Sequence, residues 1–97
     1  MEILGKNYEL KYGLRAQFIF EGITNKSFEI KTTMDQYILF YCCILAVPGQ
    51  DLEFDEFIDW CDENPDALLE FSEYIEHELT KRKKFAGDKK KEGVENN

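Results

Sequence analysis

One histidine, three cysteines and two prolines are all the chain offers of those residues in 97 positions. The cysteines, Cys42, Cys43 and Cys61, are odd in number and form no spaced pairs, which is a poor disulfide framework. Cys42 and Cys43 lie inside an apolar run, where a thiol behaves as a small hydrophobe. A reducing cytosol suits that usage best. No cluster has the ligand spacing of a zinc or calcium site. A membrane-length apolar run is also missing. The longest, Tyr37 to Val47, falls short of the about 20 residues that a spanning helix needs. Met1-Glu2-Ile3-Leu4-Gly5 lacks the basic and long apolar regions of a signal peptide. No internal repeat is present. These absences predict a cytoplasmic protein with no metal, no cofactor and no membrane span.

The chain is rich in acid and in aromatic rings. Eight Phe, five Tyr and one Trp supply large contact areas for a core or an interface. Residues 1–80 carry 5 basic and 17 acidic side chains, a net of −12, whereas residues 81–97 carry 7 basic and 3 acidic, a net of +4. An acidic body repels nucleic acid and anionic lipid, so neither is an expected partner. The length suits one domain.

Patterning predicts an α+β, mainly α fold. A short N-terminal β-hairpin spans residues 2–12, with Gly5-Lys6-Asn7 as its turn and Tyr8, Leu10 and Tyr12 alternating with Glu9 and Lys11. About four helices follow. Helix 1 covers Leu14 to Thr24, with Leu14, Phe18 and Gly22 as its stripe, Ile19 and Ile23 beside it, and Asn25 as a left-handed cap. Helix 2 begins at Thr33, where Thr33-Met34-Asp35-Gln36 has the form of a capping box. It is apolar all round to Val47, the mark of a buried central helix, and Pro48-Gly49 stops it. Helix 3 covers Phe54 to Glu63, with Phe54, Phe57, Ile58 and Cys61 inward and its acids outward. Helix 4 starts at Pro65 behind an Asn64 cap, carries Leu68, Phe71, Ile75 and Leu79 inward, and ends by Gly87. Residues 1–87 form the domain, and residues 88–97 read as a disordered polar tail.

Little in this pattern supports catalysis. His77 sits between Glu73 and Lys81 on the wet face of helix 4, away from the cysteines that could make it part of a nucleophilic pair. Leu52 to Ile58 looks like a helix beside a calcium loop, but Asp62-Glu63-Asn64-Pro65-Asp66 has no central Gly. The apolar excess is more informative. Helix 1 is apolar over more than half its circumference, interrupted by Arg15. Such a surplus predicts a partner surface and a homo-oligomer. The candidate protein-contact residues are the aromatics Phe20, Tyr41, Trp60 and Tyr74. The expected function is therefore protein binding, without enzymatic activity.

A hairpin of the form I-x-G-K-x-Y-x-L-K-Y, from Ile3 to Tyr12, runs into L-R-A-x-F-x-F-E-x-I-T-x-K, from Leu14 to Lys26. A mostly apolar helix and the acidic F-D-E-F-I-D-x-C-D-E-N-P, from Phe54 to Pro65, follow. Over roughly residues 1–80 this order resembles the tail assembly chaperones of long-tailed bacteriophages and prophages. The resemblance implies a protein that binds the long tape-measure protein before the tail tube polymerises. It also implies a longer frameshifted form whose extension recruits the tail-tube protein. Lys89-Lys90-Lys91 marks a place where an adenine-rich slippery run could lie. The alternative is a host regulatory or adaptor protein of the same architecture. No binding residue carries over from the family.

Overall fold

Leu4 and Gly5 decide the first turn of the computed structural model, which describes the backbone of residues 1–95 and the side chains of residues 1–82. Both have positive φ, +54° and +78°. That pairing belongs to a type I′ turn, whose twist matches two antiparallel strands. Strands β1 (Glu2–Ile3) and β2 (Lys6–Asn7) close around it, with Ile3 opposite Lys6. The turn is thus Leu4-Gly5, and Lys6 and Asn7 pair instead of turning.

The stretch Tyr8 to Tyr12 is extended but joins no sheet. Its alternation still reports burial, because Tyr8 and Tyr12 are buried and Leu10 is half-buried. Other elements satisfy much of its backbone. The Gln50 amide accepts from the Glu9 N–H at 2.7 Å and donates to the Glu9 carbonyl at 3.0 Å, as a neighbouring strand would. The Lys11 N–H donates at 3.0 Å to the Cys43 carbonyl, one of the last four of its helix and therefore without a helical partner.

Four helices follow, α1 (Leu14–Thr24), α2 (Thr33–Leu45), α3 (Phe54–Glu63) and α4 (Asp66–Glu95). Asn25 caps α1 in the left-handed conformation, φ +58°, and its N–H reaches the Glu21 carbonyl. The buried face of α1 is set by Ala16 and Phe20, while Leu14 and Phe18 are 67% and 63% exposed. The expected Leu14–Phe18–Gly22 stripe therefore faces outward. Apolar residues cover so much of this helix that spacing alone cannot choose its phase.

The cap of α2 is Thr32, one residue before the expected Thr33. The Thr32 hydroxyl accepts from the Asp35 N–H, and the Asp35 carboxylate accepts from the Thr32 N–H, each at 3.1 Å. Asp35, not Gln36, closes the box because its carboxylate also takes the Lys31 N–H and the Lys26 ammonium. From Ile38 to Ile44 every residue of α2 is buried, which makes it the central helix. Phe40 lies flat against Phe71 of α4 at 4.6 Å and meets the edge of Phe57 of α3 at 4.9 Å. Such ring pairs add to the area they bury.

The helical backbone of α4 is drawn to Glu95, past the Gly87 expected to end it. Lysine and glutamate are good helix formers, and each interior Gly, here Gly87 and Gly93, costs only about 1 kcal/mol. The expected tail thus falls on helical backbone to Glu95, and Asn96 and Asn97 lie outside the described residues. Thirty residues rise about 45 Å, which accounts for most of the 52 Å long dimension. Among the described residues, no helix is long and apolar enough to cross a membrane.

Candidate protein-binding groove

Hydrophobic burial drives α2 into the centre, yet one edge of it stays open. Met34, Tyr37, Ile38, Tyr41 and Leu45 lie along this edge at helical spacing. Ile19 and Ile23, one turn apart on α1, form one wall. Phe54 and Ile58, one turn apart on α3, form the other. The groove between them encloses about 750 Å³. Thr33 and the tyrosine hydroxyls are the polar side-chain groups in its lining. The Tyr41 hydroxyl is already spent, donating to the Leu52 carbonyl. Met34 is 68% exposed and Ile23 is exposed too, so apolar surface is presented to solvent along the rim.

A second depression of about 450 Å³ lies between Phe28 and Ile30, α2 and α4. It is smaller and mixes Gln36, Ser72 and Glu76 into its lining. Desolvating such groups costs free energy that an apolar partner does not return. The α1–α2–α3 groove is the better binding surface on both counts.

The four aromatics expected as contacts are not brought together. Phe20 is fully enclosed, edge-on to Phe28 at 5.2 Å, and presents no surface to a partner. Tyr41 lies in the groove floor. Trp60 is half-buried and lines a different, more polar hollow with Met1, Glu2 and Pro65. Tyr74 clasps the N-terminal segment. Its hydroxyl accepts from the Tyr12 N–H at 2.9 Å and donates to the Leu10 carbonyl at 3.2 Å. Arg82, two turns further along α4, donates to the Tyr12 carbonyl at 2.8 Å and lies over the Tyr12 ring. Sequence reasoning missed Met34, Ile23, Phe54 and Ile58 as groove residues. The Ile19/Ile23 and Phe54/Ile58 pairs, spaced one turn apart, were the available signal.

The titratable groups are placed for structure. Burial pushes the Cys42 thiol up to about 12 and the Cys61 thiol to about 11, and raises that of Cys43 as well. A thiolate is the nucleophilic form, so these side chains are inert at neutral pH. His77 is exposed, with Glu78 as its nearest carboxylate at 3.8 Å. Among the described residues, no group of three or more His, Cys, Asp or Glu could hold a metal ion. Comparison with family models, with curated proteins and with solved structures found no match.

Proposed function

We propose that this protein is a non-enzymatic tail assembly chaperone of a long-tailed phage or prophage. In the cytoplasm of the bacterial host it holds apolar helices of the tape-measure protein. The observation that carries the reading is the open α1–α2–α3 groove, lined almost wholly by apolar side chains. A tape measure is a long, apolar, aggregation-prone helix before the tube forms. Covering it calls for many copies of a small protein with an apolar groove inside and a charged outside. The net charge of −8 supplies the soluble outer surface. Self-association belongs to the same proposal, and the outward Leu14 and Phe18 of α1 offer a surface for it that leaves the groove free.

Co-expression with a phage tape-measure protein tests the reading. The wild type should keep that protein soluble and co-purify with it. The double variant Ile23→Glu/Met34→Glu changes two exposed positions and should lose both effects. Undiminished holding by the double variant would show the groove to be idle. A neighbourhood without any tape-measure gene, with a host protein bound in the groove instead, would favour the adaptor reading.

A further inference from the structure

The two edges of the groove differ in charge. On the helical wheel of α3, Asp62, Asp55 and Asp59 follow directly after the lining residues Phe54 and Ile58, and all three are exposed. Asp59 and Asp62 also share a shallow hollow with Tyr37 and Ile58, so the acidic rim is continuous with the groove. The ion pairs among the described residues include none of the three. The α1 edge carries no acid. Beside Ile19 and Ile23 stand Arg15, Phe18 and Gly22, while Glu21 lies on the far side and accepts from the Phe28 N–H at 2.9 Å.

We infer that the groove is sided, taking an amphipathic helix whose apolar stripe is flanked by lysine or arginine on the edge that meets α3. This rests on the groove being a helix-docking site. The floor from Met34 to Leu45 rises about 16 Å, the length of three helical turns, which matches a helix presenting anchors at i, i+3 or i+4, and i+7. The apolar contacts supply affinity, and the three aspartates select the partner and its direction. Reversing a bound helix end for end moves its basic flank to the α1 edge, where Arg15 stands. A second copy of this chain fits less well. A two-fold contact pairs the same patch with itself, so groove would meet groove and neither floor would be filled. The basic stretch 81–97 holds only Phe85, Ala86 and Val94 as apolar residues, too few for a stripe.

The test titrates the full chain with two synthetic helices that share one apolar stripe. One carries lysine along a single flank, and the other carries glutamate at the same positions. Exposed ion pairs each contribute a few-fold, so the lysine helix should bind about tenfold more tightly at low salt. The gap should close near 1 M salt, where the screening length is about 3 Å. In Asp55→Asn/Asp59→Asn/Asp62→Asn both helices should bind within about twofold of each other. A spin label at the peptide N-terminus should broaden signals at one end of the groove only. Moving the lysines to the opposite flank should switch it to the other end. Equal binding of both helices to the wild type would overturn the siding and leave the groove reading intact. A preference that survives the triple substitution would overturn the assignment to α3. Binding that only proceeds by dissociating a dimer in sedimentation would make a second copy the occupant. If neither helix binds, or Met34→Glu binds both unchanged, the groove reading itself fails.

Discussion

Asp35 closes the N-terminus of α2 while it holds Lys26 at 3.1 Å from across the loop. It is the one charged residue among the described residues to be buried. The Lys31 N–H, the Lys26 ammonium and the Thr32 N–H hold its carboxyl down to about 2, against burial, which acts in the opposite direction. Because the folded value lies below the unfolded one, this contribution is complete above about pH 4 and is lost as pH falls toward 2. Melting temperature followed from pH 5 to pH 2 should therefore drop, and Asp35→Asn should flatten that slope. An unchanged slope in the variant would assign the acid sensitivity elsewhere. Tyr74 gives a second test. Removing its hydroxyl leaves the buried Tyr12 N–H without a partner, a loss of about 1–3 kcal/mol. Tyr74→Phe should lower the urea midpoint accordingly, with the slope m unchanged.

The elements differ in how far their sequences announce them. The limits of α3 were legible because Phe54, Phe57, Ile58 and Cys61 recur at three and four places and Asn64-Pro65 ends the pattern. The central place of α2 was legible from its unbroken apolar run. The phase of α1 was not, since Ala16 and Phe20 compete with Leu14 and Phe18 and only the neighbouring helices decide between them. The cap of α2 slipped by one residue because two threonines stand side by side, and the choice falls to a carboxylate fixed by Lys26. The groove was legible only as a surplus of apolar surface, because its walls come from three separate helices. The hairpin carries its own prediction. Leu4 holds φ +54° with its side chain exposed, at a strain of about 1–2 kcal/mol for a residue with a Cβ. Leu4→Gly should relieve it and raise the melting temperature by several degrees, about what 1 kcal/mol yields in a domain of this size. A fall would show that the Leu4 side chain packs usefully.

The molecule as a whole pairs an enclosed aromatic core with open apolar surfaces on an acidic body. Leu14 and Phe18 lie on one of them, and the groove is another. Leu14 and Phe18 lie one turn apart and are both mostly exposed, so the chain should self-associate through this patch as its concentration rises. Sedimentation from micromolar to hundred-micromolar concentration should show a rising weight-average mass, and Phe18→Lys should reduce it. A strict monomer throughout that range would count against the surface role of α1. The most direct test of the central claim is a map of side-chain NMR signals during titration with a tape-measure helix. Shifts should appear at Ile19, Ile23, Met34, Leu45, Phe54 and Ile58, with Trp60, which lines a different hollow, unmoved. Shifts centred on Trp60 or α4, with the groove residues silent, would contradict it.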